Sequence, residues 1–439
     1  MRCIGIDIGS SSIKGAVLDL ASGRLEHMER APFPDPVPGL PAGFHEVPVD
    51  AIVAGASGVV ASLLRHAPDA QQLRVSSQMG GMVLLDARGA ALTHYLSWRD
   101  QRALLPAPGD DAPLLARLRA AWSDAQFEQL GKELKPGSTT ALLLWLARHG
   151  RLPEGATPAT IGDVVVAALG GGAPRMHPTN AIGLLDLRGG DWHHDAFEAA
   201  GIGGLAWPAL AGEDEPVGRL PQEAGALACF AAIGDQQAAL LGIGLAPHEL
   251  SINCSTGSQV SQVTQGFRPG DCQTRRWFGG AFLNTVTHVP AGRSLSVLEA
   301  LLTELPRAAG LDMSASWRLI AAATEAAEGT GGLSCDLGFF ASAMGDRGRI
   351  EAITTENLTV GNLFRAAFDF MADSYLACAR RLSPTPTWDS LAVSGGLVQA
   401  FPALRRRLAA RFALPMREVG EQEETLMGLL ALARGDARS

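Results

Sequence analysis

Lysine is scarce in this sequence. Only Lys14, Lys132 and Lys135 occur, and arginine supplies the rest of 36 basic residues against 45 acidic ones. The net charge of −9 argues against a nucleic-acid partner, because a polyanion needs a basic surface. An anionic substrate would need a local positive pocket. Paired cysteines are lacking as well. Cys3, Cys229, Cys254, Cys272, Cys335 and Cys378 are scattered without CxxC spacing. They offer no structural-metal motif and suit small buried roles in a reducing compartment. No apolar run reaches the length of a membrane span, no leader-like segment precedes the first strand, and no low-complexity tract occurs. The expectation is a soluble, cytoplasmic protein with no membrane partner.

What is present is enough apolar material, 47% of 439 residues, for two domain cores. The chain is organised around residues 230–261. A short apolar run ends at Gly234, Asp235 follows, and 236–241 reads as the first turns of a helix. A carboxylate there lies at a strand-to-helix junction, near backbone N–H groups and in a cleft. Apolar alternation then resumes and breaks at Ser255-Thr256-Gly257-Ser258, a hairpin tip whose N–H groups could hold a phosphate. A near-copy opens the chain: Cys3 to Ile8 alternates, Gly9-Ser10-Ser11-Ser12 is the tip, and Ile13 to Leu18 returns. One Gly/Ser tip is weak evidence for a phosphate loop. Two of them, one opening each half, with an Asp just before the second, make a much stronger signal.

Asp7 lies on the first strand just before the tip. Buried and unpaired it would be costly, so it reads either as a cleft carboxylate acting on a metal through water or as a turn cap. Lys14, on the return strand, either contacts phosphate or is solvated. Further along, 50–67 repeats apolar residues at helical spacing. A strand then ends at Gln78 and runs into Met79-Gly80-Gly81, a turn that allows close approach to a ligand. Trp98-Arg99-Asp100-Gln101-Arg102 offers an aromatic face for a sugar ring and polar groups for its hydroxyls, or simply a surface ion pair. His177 and Asn180 sit in a polar loop that could line a pocket, and 184–187 reads as a strand. Pro216 and Pro221 mark a boundary, dividing the chain into 1–224 and 225–439. Arg275 and Arg276 face either an anionic ligand or acidic surface. Near the end, a strand runs into Gly395-Gly396, where a planar ligand such as adenine can approach. Residues 421–434 read as the closing helix.

Taken together, these stretches resemble the FGGY carbohydrate kinases. The resemblance rests on Asp7 to Lys14, Ser77 to Met82, Trp98 to Arg102, Ile233 to Ala238, Ser255 to Ser258, Ser394 to Gly396 and Leu426 to Leu429, in this order along the whole chain. Within the family it is most similar to the sedoheptulokinase and xylulokinase branch. The resemblance implies an α/β fold of two ribonuclease-H-like domains around a cleft, as in actin, hexokinase and Hsp70, each with a five-stranded sheet. Sugar would lie mainly on the first domain and ATP with Mg²⁺ mainly on the second. It implies Asp235 as catalytic base and metal-site carboxylate, with Gln78, Met79, Gly80, Trp98, Asp100 and Gln236 on the sugar. Gly9, Ser10, Ser11, Ser12, Lys14, Thr256, Gly257, Ser258, Gly395 and Gly396 would serve the nucleotide, and Asp7 the metal through water. The implied activity is phosphorylation of a primary hydroxyl of a ketose, with sedoheptulose first and a pentulose such as xylulose, or a polyol, as alternatives. A non-catalytic sugar sensor is a more distant reading. Xylulokinases carry His where this chain has Gly80, which leaves the sugar open. Oligomeric state is open too, with a homodimer among the options.

Overall fold

The structure, a computed structural model, describes residues 1–223, 225–383, 385–419 and 423–436. Two mixed sheets divide them. The first contains β1 (Arg2–Ile8), β2 (Ser12–Asp19), β3 (Arg24–Pro32), β4 (Gln72–Ser77), β5 (Pro216–Gln222), β6 (Gly225–Phe230) and the short β7 (Ile233–Gly234). Its order is β3-β2-β1-β4-β6-β5, with β7 also pairing β4. The second contains β8 (Glu249–Asn253), β9 (Ser258–Thr264), β10 (Gln273–Arg276), β11 (Phe282–Val289), β12 (Ser390–Ser394) and β13 (Met416–Glu418), in the order β10-β11-β9-β8-β12-β13. The plan repeats. An antiparallel hairpin, β1–β2 or β8–β9, extends on one side into antiparallel strands and on the other into parallel ones, β4 or β12. Each sheet exceeds the five strands expected, because edge strands are added.

Period-two alternation decides what the strands face. On β1, Ile4, Ile6 and Ile8 are fully buried and join one core with α1 (Val49–His66). Cys3 points the other way, into a core shared with the closing helix. Asp7 has the parity of Cys3. It therefore emerges at the strand end on the side where the chain crosses between lobes.

That crossing is made by two helices. Helix α4 (Asp235–Gly242) leaves the first sheet at β7, and α7 (Glu424–Arg434) returns from the second lobe to pack on β1 and β4. Between them in chain order are α5 (Val360–Leu382), the core helix of the second lobe, and α6 (Pro402–Phe412). Before them stand α2 (Thr139–Arg148) and α3 (Ile161–Gly170). Helices α4 and α7 touch backbone to backbone. A Cβ on Gly242 would lie 1.9 Å from the Glu424 carbonyl oxygen, and one on Gly428 would lie 1.9 Å from that of Ala238. Only glycine permits such an approach, and this is the role of the glycine in the Leu426–Leu429 stretch.

Several expectations are corrected. The change of sheet falls after β7, not at 224/225. Strands β5 and β6 form a hairpin whose second strand pairs in parallel with β4, so the prolines mark an edge strand rather than a linker. Ala224 lies outside the described residues, as do Glu421 and Gln422, where the closing helix was expected to begin. Residues 184–187 form turns with a single bridge from Leu185 to Trp192. Helix α1 is long and apolar enough by composition to cross a membrane, contrary to the expectation that no stretch would be. Here its apolar side, including Ile52, Ala56, Val60 and Leu63, covers the first sheet.

Candidate active site

The loop after β4 touches both the first hairpin tip and the start of α4, and α4 in turn bonds β9 just beyond the second tip. Asp235 opens α4, and the Gln236 N–H donates to its Oδ1 at 2.8 Å. Burial is the main cause that pushes its carboxyl up to about 7; the nearby Asp7 charge adds to this, while the Gln236 N–H and Arg275 pull the other way. Part of its surface stays open, so the group is enclosed yet reachable. Asp7 is 7% exposed. Ser76 Oγ donates to its Oδ1 at 2.9 Å and Thr425 Oγ1 to its Oδ2 at 3.0 Å. Burial raises its carboxyl as well, against those two hydroxyl bonds. Burial raises both carboxyls and the Asp7 charge further raises Asp235, a pairing that a divalent cation would relieve. Among the described residues no cluster of three or more His, Cys, Asp or Glu could hold a metal. Mg²⁺ does not need one, since it takes one or two carboxylates and completes its shell with water and substrate phosphates. Asp7 and Asp235 fit that donor set.

The strand β7 that delivers Asp235 is held by residues read only as a polar loop. Thr179 Oγ1 accepts from the Gly234 N–H at 3.0 Å, and Asn180 Nδ2 donates to the Ala232 carbonyl at 2.8 Å. His177 is buried, with Nδ1 2.8 Å from Thr179 Oγ1. These three support the site from behind rather than line a pocket. Met79 lies against Gly234, where an added Cβ would meet its sulfur at 2.8 Å, which puts the loop after β4 beside the base.

On the sugar side, buried Gln78 joins two of the expected elements. Its Nε2 donates to the Gly9 carbonyl at 3.4 Å, and its Oε1 accepts from Trp98 Nε1 at 3.0 Å. Trp98 keeps 38% of its surface exposed. Gly80 has φ +78°, and a Cβ there would stand 3.3 Å from Trp98 Cβ. Asp100 does not belong to this group. It is fully buried, and its carboxylate is used up by Arg102 and by the His45 N–H at 2.7 Å. Arg102, itself 1% exposed, also takes Glu46 and lies against Phe44 and Trp145. The Trp-Arg-Asp-Gln-Arg run is thus split: the Trp faces the cleft and the Asp holds the fold. Gln236 is corrected in the same way. Its Nε2 donates to Gln259 Oε1 at 2.8 Å and Thr285 Oγ1 at 3.0 Å, and its Oε1 accepts from Arg275. No free amide remains for a sugar.

On the nucleotide side, Thr256 and Gly257 are exposed at the second tip, while Ser258 is buried with its hydroxyl 2.8 Å from Tyr375 OH. At the first tip Ser11 is exposed, Gly9 and Ser10 are half-buried, and Ser12 is buried and accepts from Arg30 at 3.1 Å. Ser12 and Ser258 therefore brace their tips from within, with only backbone left to offer. Lys14 is paired with Glu423 at 2.6 Å. A cavity of about 620 Å³ opens beside Thr256, lined by Gly396, Leu397, Phe401, Ser296 and Trp317. Trp317 carried no sequence signal beyond its place in a helix (Ser316–Ala326).

The N-terminal-domain model of the FGGY family of carbohydrate kinases matches residues 2–242. The chain belongs to the FGGY family. It is an ATP-dependent kinase of sugars or polyols, a phosphotransferase with an alcohol group as acceptor. Comparison with curated proteins finds no match. Solved structures show the same fold at low identity. A xylulose kinase from Rhodospirillum rubrum is 20% identical with a TM-score of 0.82, covering 98% of this chain and 90% of that one. A ligand-bound xylulose kinase from Lactobacillus acidophilus is 16% identical with a TM-score of 0.83, covering 99% and 89%. Plasmodium falciparum glycerol kinase with ADP is 16% identical with a TM-score of 0.81, covering 100% and 92%. The two-domain actin–hexokinase–Hsp70 architecture of this FGGY chain is thus shared along nearly its whole length.

Proposed function

We propose that this kinase phosphorylates a primary hydroxyl of a ketose, with Asp235 as the base. The single observation that carries the reading is Asp235 itself: an enclosed carboxylate at the lobe crossing, held near neutral proton affinity. A general base poised close to the working pH is the efficient arrangement. Asp235 accepts the hydroxyl proton as the oxygen attacks the γ-phosphorus. The backbone of Ser10–Ser11 and Thr256–Gly257 supplies N–H groups to phosphate oxygens, while the Gly9 N–H closes the first tip on the Ser12 carbonyl at 3.1 Å. The Gly395–Gly396 turn and the cavity beside it hold adenosine. Asp7, acting through water, and Asp235 would hold Mg²⁺, which when bound neutralises the β- and γ-phosphates. Trp98 stacks on the sugar, with Gln78 orienting its indole and Met79 shaping the pocket floor. Closure of the lobes excludes water. The six cysteines are all free and buried, which supports a reducing, cytoplasmic setting.

A heptulose such as sedoheptulose is the first candidate acceptor, supported by the branch resemblance and the side-chain-free Gly80. A pentulose such as xylulose is the second reading, favoured by the fold likeness to xylulose kinases. A coupled ADP-release assay over ketoses, aldoses and polyols separates them. With the best acceptor, Asp235→Asn should lower kcat by at least ~10³-fold. Full sugar-dependent ADP release by that variant would refute the base assignment.

A further inference from the structure

The first lobe reaches across the cleft with one short segment, 131–135, just before α2. Three contacts anchor it. The Thr274 N–H donates to the Gly131 carbonyl at 3.0 Å, Lys132 Nζ to the Gly270 carbonyl at 2.7 Å, and Arg275 Nε to Glu133 Oε1 at 2.5 Å. Lys135 ends the segment. Its Nζ donates to Thr287 Oγ1 at 2.8 Å and lies 2.9 Å from His288 Nδ1, which accepts because an ammonium only donates. Both partners are uncharged, since burial, with Lys135 and Arg275 adding to it, holds the His288 ring down to about 4. Burial pulls Lys135 down to about 8, with Glu133 opposing and Arg275 adding, so the ammonium keeps its charge at neutral pH. Lys14 has Glu423 for a counter-ion. Among the described residues no carboxylate bonds Lys135, because Glu133, whose charge reaches it, is taken by Arg275. A half-buried ammonium held only by neutral groups, with one N–H left over, is a group awaiting an anion.

Both lobes fix where that ammonium stands. Two residues on, Gly137 packs on Trp98, where an added Cβ would lie 2.1 Å from the Trp98 carbonyl oxygen, and the Gly137 carbonyl accepts from the Gly81 N–H at 2.9 Å. Lys135 is thus tied to the turn that faces the sugar side. In the other lobe, Thr285 and Thr287 share a face of β11. Thr285 Oγ1 accepts from Gln236, the neighbour of Asp235, and Thr287 holds Lys135. The strand then reaches Val289, which pairs with Ser258 of the second tip. Along β11 the ammonium therefore stands between the base's neighbour and that tip. A bulge falls at the same point. Val286 pairs with Val260 and Val289 with Ser258, so β11 carries one residue more than β9, and His288 takes φ +61°. A residue with a side chain seldom adopts that conformation, and bulges beside active sites re-aim side chains.

We propose that Lys135 is a catalytic residue of the kinase reaction, a cation delivered across the cleft by the first lobe to bond an oxygen of the transferring phosphoryl group. This rests on the reading above, in which the two tips hold the phosphates and Asp235 takes the acceptor proton. A positive group fixed where charge develops stabilises the transition state. Lys135 comes from one lobe and its holder Thr287 from the other, so the cation is in place only when the lobes are together.

The test uses the full chain and the best acceptor from the panel. Lys135→Met should lower kcat by about 10²-fold and leave the KM for the sugar within about 3-fold of the parent. ADP–aluminium fluoride with Mg²⁺ and the acceptor mimics the transferring phosphoryl group. In calorimetry the variant should bind it about 10²-fold more weakly, with ADP alone within about 3-fold. Lys135→Arg keeps a cation and should retain roughly a tenth of the parental kcat or more. Because the ammonium lacks a counter-ion, Lys135→Met should melt no lower than the parent. Parental binding of ADP–aluminium fluoride by Lys135→Met overturns the proposal. A lower melting temperature would then mark Lys135 as a structural brace, and a sugar KM raised by roughly 10-fold or more would mark it as a contact to an anionic group on the acceptor. Either result leaves the phosphate reading of the tips standing. A parent that binds the mimic no more tightly than ADP overturns that reading and this proposal together, and Asp235→Asn reports on the base separately.

Discussion

The two lobes place related hairpins at the cleft and then equip them differently. Asp7 is the penultimate residue of β1 and Asn253 the last of β8, each beside a serine on the neighbouring parallel strand. Asp7 pairs in register with Ser76, and Asn253 with Ser394. Ser76 Oγ donates to the Asp7 carboxylate at 2.9 Å, whereas Asn253 Nδ2 donates to Ser394 Oγ at 3.0 Å. One backbone position thus holds a charge in the first lobe and a neutral amide in the second. The parallel strands diverge in the same way. After β4 comes Gln78, whose side chain crosses to Trp98. After β12 come Gly395 and Gly396, which carry none. The Gln78 N–H bonds Ile8 O at 2.9 Å, and the Leu397 N–H bonds Cys254 O at 3.1 Å. The lesson is that the repeated fold supplies the same hairpin tip twice. Side chains then place a carboxylate and the Gln78–Trp98 contact in one lobe and leave open space beside Gly396 in the other, which is the division that the proposed sugar and adenosine sites require.

The largest test of that division is Asp7→Asn, which makes the first lobe resemble the second. A fall in kcat of about 10²–10³-fold is expected, with little change in sugar KM. Because Asp7 raises Asp235, the acidic limb should also move downward. Unchanged kcat in a pH–rate series would show that the charge asymmetry is incidental. The next effect is on the glycine pair. Gly395 has φ +98°, and a Cβ there would lie 2.3 Å from the Cys254 oxygen, whereas Gly396 has open space. Gly395→Ala should destabilise by roughly 2–4 kcal/mol in urea unfolding. Gly396→Ala should leave stability alone and raise the KM for ATP by only about 2–5-fold. Equal behaviour of the two would contradict the close approach.

Asn253→Asp tests the comparison from the other side. A carboxylate beside the second tip should repel the nucleotide and raise the KM for ATP by about 10-fold, an effect that weakens with added salt. The smallest expected effect is thermal. Asp235 is raised in the folded protein, so the proton-bound form is the favoured one, and the folded state loses stability as pH rises from the ordinary carboxylate range through about 7. Asp235→Asn should therefore melt roughly 2–4 °C higher than the parent at pH 8.5, with the gap closing towards pH 4. An unchanged difference across that range would mean the carboxyl is not raised.

The hairpins, the helix after Gly234 and the glycine pair were readable because alternation and turn chemistry are local properties of a few neighbouring residues. Asp235 was readable because an acid at a strand-to-helix turn has few structural uses. What a nearby polar side chain does was not readable in the same way. Asp100 and Gln236 look as available as Gln78 in the sequence, yet Asp100 is enclosed by Glu46, Arg102 and the His45 backbone, and Gln236 by Arg275, Gln259 and Thr285. Ser258 spends its hydroxyl on Tyr375, which lies 117 positions away.

By itself, then, the order of residues determined two hairpin-led lobes and one acid at their junction, since these follow from the pleat of a strand and the conformational demands of glycine. Only the tertiary structure decided which polar groups face the cleft and which are tied up behind it. A buried donor or acceptor must be satisfied by whatever partner folding brings near. The Glu133–Arg275 pair, 142 positions apart in the chain, exists only once both lobes have formed.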